Sequence, residues 1–200
     1  MTHERQYVFG FGSLVDVAAL ARFLGRAPFA ASEFIRCGLC DHRRAWNIAR
    51  DNRRDFPGRP HYICAETGAR PAVFVTVVNI RPHRGHVVNG VAFAVTPLEL
   101  ARLDRREAVY DRISVTGAMD VTLSGPVWAY RGKAASESCY SEGQAAGTAV
   151  ISRDYHDRVA AAFTSHGADY WDAYQASTDP PAVPLRELRR VTVAMPSAAG

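Results

Sequence analysis

Hydrophobic and polar positions alternate near the N-terminus of the chain and then change to a helical period. In YVFGFGSLVD, residues 7–16, the aromatics Tyr7, Phe9 and Phe11 occupy every second position, which predicts a short β-strand with a buried aromatic face. Gly10, Gly12 and Ser13 interrupt this pattern, and Val17, Leu20, Ala21 and Leu24 follow at helical spacing. The pattern therefore predicts a strand, a glycine turn and a helix. Backbone N–H groups of such a turn are a natural place to hold a carboxylate or an oxyanion.

The middle of the chain is typical of β-structure. Two β-branched runs, AVFVTVVNI at 72–80 and GVAFAV at 90–95, are expected to pair as a hairpin across RPHRGHVVN. The polar segment 49–70 is rich in arginine and punctuated by proline and glycine, so we expect a long loop. Further strands are predicted at 33–48, 110–116 and 126–132.

The clearest helix start lies at Thr96. Thr96 is predicted as the N-cap, Pro97 as the first helical residue, and Glu99 completes a capping box. Leu100 and Leu103 are expected to face inward from this helix.

The C-terminal third is expected to be helical before it becomes irregular. A second capped helix is predicted after Ser152, and ADYWDAYQ continues the helical period to about residue 175. Residues 176–200 are proline-rich and are predicted to form a tail with a docked strand at RRVTVAM. Strands in the middle, with helices inserted early and appended late, predict an α+β domain over residues 1–175.

Composition fits one globular domain. The 200 residues are 48% hydrophobic and 22% charged, and no run reaches the roughly 18 apolar residues of a membrane span. The N-terminus lacks the apolar core of a secretory signal, so we expect a cytoplasmic protein that does not bind membranes. The net charge is +4, and Lys133 is the only lysine, a bias typical of a GC-rich genome.

An arginine cluster raises the alternative of nucleic-acid binding. The cluster is interleaved with Trp46 and Phe56 and comprises Arg43, Arg44, Arg50, Arg53, Arg54 and Arg59. Because the net charge is only +4 and acidic residues lie nearby, we expect no nucleic-acid partner.

The cysteines raise the alternative of a zinc site. CGLC, with Cys37 and Cys40, and HYIC, with Cys64, have a spacing close to that of a zinc ribbon. Small buried cysteines are common, however, and part of the first segment is predicted as strand. We therefore favour free thiols, including Cys139, and expect no metal.

Three separated segments resemble the γ-glutamylcyclotransferase-like family, which includes the ChaC-type enzymes that act on glutathione. They are FGFGSL, LDRREAVYDRISV, and VWAYRG followed by SRDYHDRV, so the resemblance spans about residues 7–165. It implies a small mixed β-barrel flanked by helices, with the active site at the barrel mouth and no cofactor. The implied reaction is an intramolecular aminolysis that releases 5-oxoproline and a free amine.

The resemblance also implies roles for individual residues. The loop Phe11-Gly12-Ser13-Leu14 would cradle the γ-glutamyl group through backbone N–H groups, although the family usually has tyrosine where this chain has Phe11. Glu107 would be the catalytic acid and base, because one carboxylate can take a proton from the amine and return it to the leaving group. Tyr110, Tyr130 and Tyr155 would line the pocket.

The residues by themselves leave other interpretations open. Taken alone, Glu107 is typical of a solvated charge that pairs with Arg105 or Arg106. The substrate is expected to be a small γ-glutamyl compound: an amino acid conjugate, a peptide such as glutathione, an amine or a biosynthetic intermediate. We expect Arg50, Arg53 and Arg54 to select the leaving group. A non-catalytic binding module of the same fold is the alternative function, and the protein is expected to be a monomer or homodimer.

Overall fold

The computed structural model describes residues 5–54 and 60–191, except for the side chain of Ala31. The predictions for Phe56 and Arg59, and for the chain after residue 191, lie outside the described residues. The strands are β1 Gln6–Gly10, β2 Phe34–Asp51, β3 His61–Cys64, β4 Phe74–Val95, β5 Tyr110–Ser114, β6 Val127–Gly132, β7 Ala149–Ser152, β8 Leu185–Arg186 and β9 Leu188–Val191. The α-helices are α1 Val17–Leu24, α2 Pro97–Arg106, α3 Ala134–Ala145, α4 Arg153–Thr164 and α5 Ala168–Ala176. The predicted α+β class is confirmed.

The long strand β4 organises a mixed sheet. It pairs antiparallel with β1 and β2 and parallel with β7, and the sheet continues from β1 through β6 to β5 and from β7 to β8. Strands β3 and β9 form a separate antiparallel pair. The resemblance implies a closed barrel, but the pairings of the described strands do not show the sheet closing on itself.

The predicted hairpin between residues 72–80 and 90–95 is wrong. Residues 74–80 and 90–95 both belong to β4, and they pair with β2 and β1 and not with each other. The intervening RPHRG segment forms a bulge, because residues 83–86 of β4 lie opposite Asp41 alone. Gly85 and Asp41 both have positive φ, and the Gly85 N–H donates to Asp41 Oδ1 at 2.8 Å. The proline and glycine therefore bend one strand instead of reversing the chain.

The predicted loop 49–70 is only partly correct. Its start belongs to β2, and its HYIC segment forms β3, which buries Tyr62. The partner of β3 is β9, which pairs Cys64 with Leu188. A four-residue strand whose partner lies more than a hundred residues away leaves little signal in its local sequence.

The helix predictions are largely confirmed. Thr96 and Glu99 form the capping box of α2 at 3.2 and 2.8 Å, and Leu100 and Leu103 are buried. Helix α4 follows Ser152 as predicted, but the Ser152 hydroxyl does not cap it. That hydroxyl donates to the Leu188 carbonyl at 2.8 Å and so links β7 to β9.

Helix α3 was not predicted from the sequence. Its buried positions are Ser136 and Gly143, so it lacks the apolar face by which an amphipathic helix is recognised. The Ser136 hydroxyl donates to the Val109 carbonyl at 2.9 Å. No helix within the described ranges is long and apolar enough to cross a membrane.

Candidate active site

One pocket brings together all the side chains and the loop that the resemblance singled out. It is lined by the 11–14 loop, Glu107, Tyr110, Tyr130 and Tyr155. These residues come from the turn after β1, the end of α2, β5, β6 and α4. Residues separated by more than 140 positions in the sequence therefore share one cavity.

The 11–14 loop lines this pocket and has backbone N–H groups that no acceptor in the described residues occupies. A short 3₁₀ turn, Ser13–Val15, follows Gly12, and the Val15 N–H donates to the Gly12 carbonyl at 3.0 Å. Within the described part of the chain, the N–H groups of Gly12, Ser13 and Leu14 donate to no protein acceptor. Three adjacent donors are therefore available to a ligand.

The two glycines of this region have different roles. A Cβ at Gly10 would lie 2.8 Å from the Leu14 Cβ, so the absence of a side chain lets the loop pack on β1. A Cβ at Gly12 would meet only the Tyr155 hydroxyl at 3.5 Å and Val78 Cβ at 3.7 Å, which are ordinary contacts. Gly12 therefore leaves space inside the pocket.

Arg44 holds the 11–14 loop through a hydrogen bond to its first residue. Its side chain is fully buried, and its Nε donates to the Phe11 carbonyl at 2.7 Å. The guanidinium also lies over the rings of Phe163 and Tyr174, at 4.9 and 4.4 Å from their centroids. Desolvation lowers the pKa of Arg44 to about 10. This residue is therefore part of the core and not of a nucleic-acid surface.

Glu107 lies at the C-terminal end of α2. Its backbone N–H donates to the Leu103 carbonyl at 2.8 Å, which ends the helix at this residue. Its carboxylate pairs with Arg106 at 3.2 Å, and only 13% of the side chain is exposed. Glu107 therefore forms the ion pair that is typical of a surface glutamate, and it also lines the pocket, as a catalytic glutamate would.

The three tyrosines differ in what their hydroxyls contact. Tyr110 donates to the Val78 carbonyl at 2.6 Å, and Tyr130 donates to Asp104 at 2.9 Å. Desolvation raises the pKa of all three, and for Tyr130 the hydrogen bond to Asp104 raises it further. The Tyr155 hydroxyl donates to no acceptor in the described ranges, and because its pKa is raised it is a neutral donor for a ligand.

Sequence reasoning missed most of the positive charge around the pocket. Four arginines line it, from β2, α2, α4 and β9: Arg50, Arg106, Arg158 and Arg190. Of these, only Arg50 had been assigned to leaving-group selection. Arg158 belongs to the SRDYHDRV segment and Arg190 to the predicted RRVTVAM strand, but neither has a role predicted from the sequence, and only the packing of α4 and β9 brings them to one pocket.

Arg53 and Arg54 do not line the pocket, contrary to what their predicted role requires. Arg53 pairs with Asp51 at 2.9 Å and with Glu142 at 3.0 Å, and Arg54 pairs with Asp51 at 3.3 Å. These ion pairs connect the end of β2 to α3.

The cysteines stand apart from the pocket. Cys37 is a buried thiol on β2, and Cys64 belongs to β3 in the other sheet. Burial raises the pKa of Cys37 to about 12. Among residues 5–54 and 60–191, no group of three or more histidine, cysteine or acidic side chains is arranged to hold a metal ion.

Comparison with known proteins yields structural similarity only. No protein-family model matches the sequence, and no curated protein matches it significantly. A structure named gamma-glutamyl cyclotransferase is 15% identical, with a TM-score of 0.55 over 90% of each chain. An uncharacterized protein from Homo sapiens is 16% identical, with a TM-score of 0.57 over 90% of this chain and 91% of that one. YkqA from Bacillus subtilis is 12% identical, with a TM-score of 0.50 over 88% of this chain and 54% of that one.

Identities of 12–16% carry the fold and not the activity. The similarity nevertheless covers nine tenths of the chain in two of these structures, and the sequence segments that suggested the resemblance meet in one pocket. The chain therefore has the γ-glutamylcyclotransferase-like fold.

Proposed function

We propose that this protein is a γ-glutamylcyclotransferase that cleaves a small γ-glutamyl compound and releases 5-oxoproline and a free amine. The observation that carries the proposal is the meeting of Glu107 with the unpaired N–H groups of the 11–14 loop in one pocket. The first supplies a carboxylate that can move protons, and the second supplies donors for a carbonyl oxygen.

In the proposed reaction, the substrate folds so that its own α-amine reaches its γ-carbonyl carbon. Positioning is the main task, because holding the two groups together removes an entropic barrier of several kcal/mol, about 7–11 in well-oriented cases. Tyr155 lines the pocket beside Gly12 and limits how the glutamyl chain can lie.

Glu107 moves the protons. It takes a proton from the substrate ammonium, and the freed nitrogen attacks the γ-carbonyl carbon. The N–H groups of Gly12, Ser13 and Leu14 stabilise the negative charge on the carbonyl oxygen. Glu107 returns this proton to the leaving nitrogen as the bond between that nitrogen and the carbonyl carbon breaks, and it then carries the second proton from the new ring nitrogen to the departing amine. The two protons lost by the attacking ammonium end on the departing amine, so the reaction balances.

The test is Glu107→Gln, assayed by 5-oxoproline release from glutathione, γ-glutamyl dipeptides and γ-glutamylamines. The amide keeps the shape of the side chain but cannot accept the proton, so turnover should fall by about 10²-fold or more while binding persists. Glu137→Gln, an exposed position on α3, is the matched control and should leave turnover unchanged.

Melting temperatures recorded for both variants separate loss of chemistry from loss of fold. Full activity of the Glu107→Gln variant would show that another group moves the proton. If the wild type releases no 5-oxoproline but is stabilised by γ-glutamyl compounds, a binding module of the same fold replaces the enzyme.

A further inference from the structure

The pocket carries more positive charge than a γ-glutamyl group can balance. Arg50, Arg106, Arg158 and Arg190 line it, and Glu107 is the only carboxylate among the described lining residues. A cavity lined by one sign of charge concentrates ligands of the opposite sign.

The four arginines are not equally neutralised. Arg106 pairs with Glu107 at 3.2 Å, and Arg158 pairs with Asp154 at 3.4 Å where both side chains are half exposed. Within the described ranges, Arg50 and Arg190 form no ion pair and no hydrogen bond through their side chains. Four guanidiniums against two carboxylates leave two positive charges unbalanced.

The other three arginines of the pocket affect the pKa of Arg190. Desolvation lowers the pKa of its guanidinium, and the charges of Arg50, Arg106 and Arg158 act in the same direction, whereas Tyr62 opposes them. Like charges held around one cavity repel one another, so an anionic ligand relieves the repulsion when it binds.

The γ-glutamyl group cannot supply that anion. Its α-carboxylate and its α-ammonium cancel, so it enters the pocket with no net charge. The compensating charge must therefore be carried by the other part of the substrate, the amine that departs.

We propose that the leaving amine of the substrate carries two anionic charges, as two carboxylates or one phosphate, and that Arg50 and Arg190 bind them; this inference rests on the proposed cyclotransferase reaction. Arg50 stands near the end of β2 and Arg190 on β9, so two different strands bring these two guanidiniums to the pocket. They are specificity residues and take no part in the proton transfer.

The experiment compares γ-glutamylglutamate, γ-glutamylglutamine and γ-glutamyl phosphoethanolamine. The first two have almost the same shape and differ by one negative charge, and the third replaces the carboxylates by a phosphate. The wild type should show a kcat/KM for γ-glutamylglutamate about tenfold or more above that for γ-glutamylglutamine. The kcat/KM for γ-glutamyl phosphoethanolamine, relative to that for γ-glutamylglutamate, tells whether the pocket prefers a phosphate or two carboxylates.

Arg50→Gln and Arg190→Gln should each reduce that ratio towards one, mainly through KM. Arg131→Gln removes the same charge from an exposed position on β6 that does not line the pocket, and it should leave the ratio unchanged. A ratio that falls equally in all three variants would indicate general electrostatic attraction and overturn the assignment to Arg50 and Arg190.

A second measurement separates this inference from the proposed reaction. Binding of the three compounds to the Glu107→Gln variant, with and without Arg190→Gln, is measured by isothermal titration calorimetry. Turnover of both dipeptides at equal kcat/KM overturns the inference and leaves the cyclotransferase intact. Charge-selective binding without 5-oxoproline release supports the inference about the pocket and overturns the reaction. Neither turnover nor selective binding overturns both.

Discussion

Replacing Arg44 by lysine tests whether a buried guanidinium holds the candidate active-site loop in place. The side chain is fully buried, and its three nitrogens donate to six acceptors: Phe11 O, Tyr174 O, Ser177 Oγ, Thr178 Oγ1, Asn89 O and Asn89 Oδ1. Lysine keeps the charge but has one nitrogen with three donors, so it cannot reproduce this fork.

The loss of unfolding free energy in Arg44→Lys depends on which of these acceptors keep another donor. The Tyr174 carbonyl also accepts from the hydroxyls of Ser177 and Thr178, and it stays satisfied without Arg44. Phe11 O and Asn89 O lose the guanidinium donors that lie at 2.7 and 2.5 Å. At about 1.5–3 kcal/mol for each hydrogen bond to a charged group, Arg44→Lys should cost about 3–6 kcal/mol of unfolding free energy.

The assay is thermal unfolding combined with 5-oxoproline release. A loss of this size should lower Tm by roughly 6–24 °C for a chain of this length. Below the lowered Tm, KM should rise because Phe11 O no longer has its anchor and the loop loses its fixed position. Arg43→Lys is the control, since its side chain is partly exposed and pairs with Asp179, so about 1 kcal/mol or less should be lost.

Two results would refute the reasoning. A Tm for Arg44→Lys within about 2 °C of the wild type would mean that lysine or water satisfies the same acceptors. A large loss of stability with unchanged KM would mean that Arg44 supports the core without positioning the loop.

Three further predictions follow from the same structure. Gly12→Ala places a methyl group 3.5 Å from the Tyr155 hydroxyl, so the fold should tolerate it while KM rises at least several-fold; an unchanged KM would place the ligand elsewhere. Thr96→Ala removes the N-cap of α2 and should cost about 1 kcal/mol, seen as a Tm lower by roughly 2–4 °C, with Thr122→Ala as an exposed control. Treatment with EDTA should change neither Tm nor turnover, and restoration of lost activity by zinc would revive the interpretation of the CGLC and HYIC segments as ligands.

Local pattern was sufficient wherever the structure is decided by near neighbours. The alternation in β1, the helical spacing of α1 and the capping box at Thr96 each involve residues a few positions apart, and each is found as predicted. The candidate site was predicted for a different reason: short segments resemble a known family, and the fold brings Glu107 and the 11–14 loop into one pocket.

Local pattern failed wherever the competing partner is distant. The segment 81–89 contains the residues of a turn, but pairing along the whole of β2 keeps β4 extended and turns the proline and glycine into a bulge. The Ser152 hydroxyl has the position of a cap, but the Leu188 carbonyl is the acceptor with which it forms its hydrogen bond. In both cases a long-range hydrogen-bond partner replaced the local one.

The arginines show most clearly what the sequence determines and what only the tertiary structure decides. The sequence by itself determined that the chain is rich in arginine, but it presented Arg44, Arg50 and Arg53 as one basic cluster. Tertiary structure separated them into a core residue, a pocket residue and a surface ion pair. The physical reason is that the environment of a long side chain depends on which distant elements pack around it: Phe163 and Tyr174 enclose Arg44, whereas β9 brings Arg190 towards Arg50. A one-dimensional pattern contains no information about that packing.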